Sequence, residues 1–161
     1  MNLLKKTIVA ALPIFLLGGC VSTHQAAVDK GATCPKTGFL KGTDRLKTSD
    51  YEVAITGLGG GCNFGKDVVV LDTSFFVAVK WSKDMVDQPD IVSIPYVATI
   101  LDEAGEITAH TRFDAKVEMV DGFGDSKEEL RQRIPITEAL TASKYKVVYS
   151  LYDGTNQDVT Y

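Results

Sequence analysis

Hydrophobic and polar side chains alternate along most of the chain after residue 34. The longest regular stretch covers residues 106–119, in which the apolar or small positions are Ile107, Ala109, Thr111, Phe113, Ala115, Val117 and Met119. A period of two places these side chains on one face, so the pattern predicts a strand with one buried face. If so regular a strand lies unpaired at a sheet edge, it leaves dimerisation open.

Other parts of the chain show the same period. Residues 91–101 alternate as well, and residues 102–105 supply a tight connection, so residues 91–119 are predicted to form a β-hairpin. Further strands are predicted near residues 51–55, 69–81, 130–137 and 145–151. Pro95 and Pro135 cannot donate a ladder hydrogen bond, so we expect them at sheet edges or bulges. Only residues 137–143 suit a short helical turn.

The number and spacing of these strands predict the fold class. About seven short strands without a long helix indicate an all-β protein. We expect an antiparallel β-sandwich with immunoglobulin-like or fibronectin-like topology, and a small β-barrel is the alternative. The length suits one domain, predicted to span residues 34–161.

The amino-terminal residues have the features of an export signal. Lys5 and Lys6 precede an apolar run over residues 7–17, and Gly18 and Gly19 stand before Cys20. The sequence Leu-Gly-Gly-Cys at 17–20 resembles the lipobox of bacterial lipoproteins. The resemblance implies that residues 1–19 are cleaved and that Cys20 carries a diacylglycerol thioether and an acylated amino terminus. An ordinary secretory signal and a transmembrane helix are the alternatives, although the apolar run is shorter than the ~18 residues that a spanning helix needs.

A wider likeness covers nearly the whole chain after the signal. It rests on the lipobox, Cys34-Pro35, Gly61-Cys62, the stretch Ile-Pro-Tyr-Val-Ala at 94–98 and Arg-Ile-Pro-Ile at 133–136. Together these resemble a family of small Gram-negative outer-membrane lipoproteins that has no assigned reaction. The family rule implies the outer membrane, since Val21 rather than aspartate follows the lipidated cysteine. Residues 20–33 are then expected to form the lipidated cysteine and a flexible tether.

Charge narrows the range of partners. The full chain has a formal net charge of −4, and removal of the signal takes away two lysines and no acids, which leaves −6. An acidic domain without a basic cluster is poorly suited to nucleic acid, because phosphate contacts need many cations on one face. We therefore expect no nucleic-acid partner.

Cys34 and Cys62 are the two thiols that remain once Cys20 is lipidated. Export delivers them to an oxidising compartment, so we predict a disulfide that stabilises the domain by roughly 3.5 kcal/mol. A redox pair usually has Cys-x-x-Cys spacing, and zinc would need two further ligands, for which only His24 and His110 are available. The predicted role is structural.

A glycine-rich segment at residues 60–66 matches the first seven positions of a phosphate-binding loop. Asp67 stands where that loop needs Ser or Thr, and a strand-like run follows instead of a helix. We therefore predict no nucleotide site, and we interpret the segment as a glycine-rich turn beside the disulfide, needed where the backbone bends sharply or another chain segment passes close.

Catalytic residues are not evident. His110 falls on the polar face of a predicted strand, and no Gly-x-Ser-x-Gly motif is present. The acids available to a glycosidase or muramidase lie in loop-like segments, where they usually solvate the loop: Asp84, Asp87, Asp90, Asp121, Asp125, Glu128 and Glu129. Asp121, Asp125 and Glu128 are weak calcium candidates, because they supply oxygen ligands near a glycine-containing loop. No catalytic residue, metal or cofactor is predicted.

Apolar side chains at predicted loop tips indicate a partner. Met85, Val86 and Phe123 are the candidates for contact with an envelope protein, unless they fold back over the sandwich edge. The expected function is that of a lipid-anchored, non-enzymatic adaptor. Loop-mediated binding of a small glycan or calcium is the alternative, and an envelope hydrolase is the least favoured.

Overall fold

The computed structural model describes residues 27–28, 30–82 and 87–153. Within them the strands are β1 (Lys36–Phe39), β2 (Arg45–Lys47), β3 (Tyr51–Phe64), β4 (Val68–Trp81), β5 (Ile91–Leu101), β6 (Ile107–Glu118), β7 (Phe123–Pro135) and β8 (Lys146–Leu151), with a 3₁₀ helix at Ala139–Lys144 before β8. The strands form two four-stranded sheets, ordered β1-β8-β5-β6 and β2-β3-β4-β7. The predicted β-sandwich is confirmed, with eight described strands rather than about seven, and the sheets do not close into a barrel. Neighbouring strands are antiparallel except for the parallel pair β1 and β8.

The core lies between the two sheets and centres on Phe75 of β4. Its ring is fully buried, and it meets the rings of Phe39, Tyr96 and Tyr149 from the first sheet at centroid distances of 6.0, 5.3 and 5.1 Å. Aromatic edge and tilted contacts of this kind add to the free energy gained by removing the rings from water. The alternation of β4 thus places one apolar face in the core, as its sequence predicts.

The glycine-rich segment at residues 60–66 spans the end of β3 and the start of the turn into β4, where the Gly65 N–H donates a 2.7 Å hydrogen bond to the Val68 carbonyl. Strand β3 continues through residues 59–61 with a bulge between Thr56 and Gly59. Glycine is required at 60 because a Cβ atom there would lie 2.2 Å from the carbonyl oxygen of Asp72. Close approach of the neighbouring strand therefore accounts for Gly60, and the chain reverses later in the segment, at residues 65–67.

The two prolines within strands differ in whether they lie on an edge strand, as predicted. Pro135 is the last residue of the edge strand β7, as predicted. The prediction for Pro95 was wrong, since β5 lies between β8 and β6. The Tyr152 N–H donates a 3.0 Å hydrogen bond to the Pro95 carbonyl, and Pro95 has no N–H to return. The ladder of β5 with β8 therefore ends at Leu151.

The amino-terminal part of the described chain packs on the domain. Ala27 and Ala32, from the predicted tether, are buried against the core. The predicted disulfide joins Cys34 to Cys62 of β3, with a Cα–Cα distance of 5.7 Å. Cys20 and the signal lie outside the described residues. In the part of the chain described, no helix has the length and apolar character to cross a membrane.

Strand β6 has one buried face only in its second half. Ala115 and Val117 are buried, whereas every residue from Ile107 to Arg112 is exposed. The prediction of one continuous buried face was therefore wrong for the first half, which the second sheet does not cover.

Candidate functional site

The outer face of the second sheet carries a groove. Cross-strand pairing arranges its outward side chains in rows, of which the first is Lys47, Glu52, Lys80 and Phe123 and the second is Arg45, Ala54, Ala78 and Asp125. The small alanine side chains leave a groove of about 680 Å³ between the longer ones, which we call the outer groove. Its floor is apolar and its rim is charged.

Phe123 forms part of the groove wall. Asp121 and Gly122 have positive φ values of 52° and 86°, which identify a two-residue type I′ turn. Val120 and Phe123 exchange two backbone hydrogen bonds across this turn, of 2.7 and 3.0 Å. Phe123 is thus the first residue of β7 rather than a loop tip, so that part of the prediction was wrong. Its side chain is 58% exposed.

Charges of both signs line the outer groove. Lys47 forms an ion pair with Glu52, and its hydrogen bond holds the pKa of that carboxyl below the usual value. The Lys80 Nζ lies 5.4 Å from the centroid of the Phe123 ring, within the range of a cation–π contact. Three cations and two carboxylates line the groove, so the local balance is positive on an acidic chain. This surface suits an occupant with apolar and acidic groups.

A second exposed phenylalanine extends the same face. Phe76 is 42% exposed, and its ring lies over Gly57, where an added Cβ would be 3.3 Å from the ring. Beyond it, a notch of about 580 Å³ opens beside Gly60 and Gly61. At the notch, Arg131 donates a 2.7 Å hydrogen bond to Asp72 and lowers the pKa of that carboxyl. The exposed apolar surface therefore continues past the groove.

The side chain of Glu128 lies on the face of β7 opposite the outer groove and points into the space between the sheets. Its carboxylate accepts hydrogen bonds from the Tyr96 hydroxyl at 2.9 Å and from the Ser126 hydroxyl at 2.8 Å. Nearby, the hydroxyls of Thr73 and Tyr149 are 2.6 Å apart. Burial raises the pKa of both tyrosines, and the hydrogen bond to Glu128 raises that of Tyr96 further. Glu128 is thus engaged inside the sandwich.

The structure does not bring the three calcium candidates together. Asp121 lies in the type I′ turn, Asp125 lines the outer groove, and Glu128 lies on the opposite face of β7. Within the described ranges, no group of three or more His, Cys, Asp or Glu side chains is placed to hold a metal ion. Asp125, Glu128 and Glu129 lie in strand β7, so the prediction that they occupy a loop was wrong.

Among the described residues, His110 is a sequence candidate that does not line the outer groove. His110 is exposed on β6, with Nδ1 3.0 Å from the hydroxyl of Thr99. Met85, Val86 and Asp84 lie outside the described residues. Sequence reasoning missed Phe76, although the alternation that directs Phe75 inward directs its neighbour outward. Arg45 and Ala54 had no such signal, because their place depends on pairing between distant strands.

Comparison of the chain with protein-family models, curated proteins and solved structures gives no match. The outer groove has an apolar floor, the exposed ring of Phe123 and a mixed, slightly cationic rim, and the exposed ring of Phe76 lies beyond it on the same face.

Proposed function

We propose that this protein is a lipid-anchored, non-enzymatic outer-membrane lipoprotein that acts as an interaction or adaptor module of the cell envelope. The lipobox-like residues at 17–20 support the anchor, with Cys20 as the lipidated residue. Several acyl chains on one cysteine hold a protein to a membrane almost permanently. The lipid then confines the domain to one layer, so weak contacts suffice for partner binding.

The outer groove is the docking surface in this proposal, and its occupant is a segment of another envelope protein. The observation that carries the proposal is the exposure of Phe123 and Phe76 on one face, beside the apolar floor of Ala54 and Ala78. Aromatic side chains are enriched at protein interfaces and at their energetic centres. The cationic rim favours acidic residues in the partner.

Photocrosslinking in intact cells tests this proposal. Photoreactive residues replace Phe123 and Phe76 in the full-length protein, and Ser93, exposed on β5 of the first sheet, serves as the matched control. We expect one recurrent envelope protein to crosslink at both phenylalanine positions and not at Ser93. Equal adducts at all three positions, or none at the phenylalanines in a folded and anchored protein, would refute docking in the groove.

The anchor has its own test. Cys20→Ala should release the protein from the outer-membrane fraction, and the mature amino-terminal peptide of the unchanged protein should carry the mass of three acyl chains. Retention of Cys20→Ala in that fraction without acylation of the unchanged protein would contradict the lipoprotein assignment while leaving the groove proposal standing.

A further inference from the structure

Strand β6 lies at the edge of the first sheet and is long. Within the described residues it pairs with β5, and no strand pairs with its other edge, which β7 approaches at the last residue, where Gly124 lies close to the Glu118 carbonyl oxygen. The edge strands β1 and β2 have only four and three residues, whereas β6 has twelve. A long free edge offers a row of backbone donors and acceptors to another strand.

Strand β7, the long edge strand of the second sheet, differs from β6 in its inward side chains. Glu128 of β7 directs a carboxylate between the sheets, and Pro135 ends the strand. Inward charges and prolines are devices that prevent pairing between edges. Strand β6 has neither, because its inward positions are all apolar or threonine and it contains no proline. The edge of β6 is therefore open to pairing in a way that β7 is not.

Exposed apolar side chains on β6 point to the same conclusion. Ile107 is 49% exposed, and Ala109 and Thr111 on the same face are exposed as well. The described part of one copy leaves this half of the strand exposed. A neighbouring strand laid alongside it would shield these side chains from water.

The sequence of β6 is complementary to itself when two copies run antiparallel. With a two-fold axis at Phe113, every residue from Thr108 to Glu118 has a partner. Arg112 then faces Asp114 of the second copy. On the inner side, small or apolar side chains face each other, because Ala109 lies opposite Val117 and Thr111 lies opposite Ala115. Opposite charges directly across a pair of strands stabilise it.

A second register with matching charges is centred on Ala115. It pairs Arg112 with Glu118 and Asp114 with Lys116, but only residues 112–118 of the strand overlap. The first register gains additional backbone hydrogen bonds and covers Ala109 and Thr111, whereas the second gains only exposed ion pairs, which contribute little. The register centred on Phe113 is therefore favoured.

We propose that this protein forms a two-fold symmetric dimer in which β6 pairs antiparallel with β6 of a second copy, with Phe113 on the axis. The first sheet then continues across both copies. The outer groove lies on the other sheet of each copy and stays accessible, so the dimer presents two docking surfaces. This inference does not depend on the anchor or on the identity of a groove partner.

Disulfide crosslinking of the full-length protein in its membrane tests the register. Thr108→Cys combined with Glu118→Cys should give a covalent dimer on mild oxidation, because the two positions face each other in the proposed register. Each single variant is a control, and Arg112→Cys combined with Glu118→Cys reports the register centred on Ala115. Crosslinking of the second pair but not the first would overturn the proposed register, and crosslinking of neither would overturn the dimer.

Charge reversal tests the interface without an added thiol. Arg112→Asp or Asp114→Arg should weaken dimerisation of the detergent-solubilised full-length protein about tenfold, since each replaces two attractions with two repulsions. The double variant should restore it. Both side chains are about half exposed, so folding is expected to persist and thermal unfolding checks it. Unchanged association in both single variants, or a protein that is monomeric at all concentrations, would refute the proposal.

Discussion

The hydroxyl of Tyr96 on β5 donates a 2.9 Å hydrogen bond to Oε2 of Glu128 on β7, and so joins the two sheets of the sandwich. The ring of Tyr96 also stacks on Phe113 of β6, with centroids 5.5 Å apart and an interplanar angle of 20°. One side chain thereby links three strands near the side where the sheets do not close. In the described residues, no buried side-chain nitrogen or oxygen lacks a hydrogen-bond partner.

Removal of the Tyr96 hydroxyl should destabilise the domain. Tyr96→Phe keeps the ring but leaves Glu128 with one of its two hydroxyl donors, and we expect the free energy of unfolding to fall by about 1–3 kcal/mol, typical of a hydrogen bond to a charged group. Urea unfolding measures the change. Glu128→Gln, which keeps an acceptor oxygen, is the matched control and should cost less. An unfolding midpoint in Tyr96→Phe equal to that of the unchanged protein would contradict this.

Alkaline pH should weaken the fold through the same side chain. The pKa values of Tyr96 and Tyr149 are raised, so the folded protein retains protons that the unfolded chain releases near pH ~10. Their contribution is complete below that pH and is lost as the pH rises above it. Urea unfolding from pH 8 to 11 should show a falling free energy, with a shallower slope in Tyr96→Phe. Identical slopes would show that Tyr96 does not contribute.

Two neighbouring glycines should differ sharply in their tolerance of alanine. Gly60→Ala places a Cβ atom 2.2 Å from the Asp72 carbonyl oxygen, on backbone that must move to make room. We expect a loss of at least ~2 kcal/mol in the free energy of unfolding. A Cβ at Gly61 has no atom within 4 Å, so Gly61→Ala is the matched control and should be nearly neutral. Equal effects at both positions would contradict the close approach of β3 and β4.

Loss of the disulfide should lower stability without changing the fold. Cys34 and Cys62 are 28 residues apart in sequence, and the chain-entropy treatment assigns roughly 3.5 kcal/mol to a loop of that size. Cys34→Ser combined with Cys62→Ser should show this loss in urea unfolding. The unchanged protein measured after reduction should unfold at the same urea concentration as the double variant. A double variant as stable as the oxidised protein would contradict the prediction.

The sequence predicted those strands whose buried positions are apolar. Strand β4 alternates without interruption, and its inward side is in the core. The first half of β7 was missed because its inward positions are Gly124, Ser126 and Glu128, which carry no apolar signal. Glu128 is accommodated there by hydrogen bonds from Ser126 and from Tyr96 on the other sheet, and no local pattern encodes the distant contact with Tyr96.

The candidate site could be predicted only in part for the same reason. Phe123 and Asp125 were singled out individually, but the groove between them and Arg45 depends on the register of four strands. Ala54 faces Ala78 only once β3 and β4 are paired. Two alanines far apart in the sequence carry no signal of a binding site, because they form the groove floor only when β3 and β4 pair.

The position of β8 has a consequence for how the chain reaches its native state. This strand lies between β1 and β5, so Lys36 pairs with Lys146, which is far away in sequence. Contacts of such high sequence separation slow folding. A chain emerging from its amino terminus cannot complete the first sheet until residues 146–151 have appeared, and until then β1 has no neighbour. The first sheet therefore cannot form completely until nearly the whole domain is available to fold, and pairing of β8 is expected to be a late step of folding.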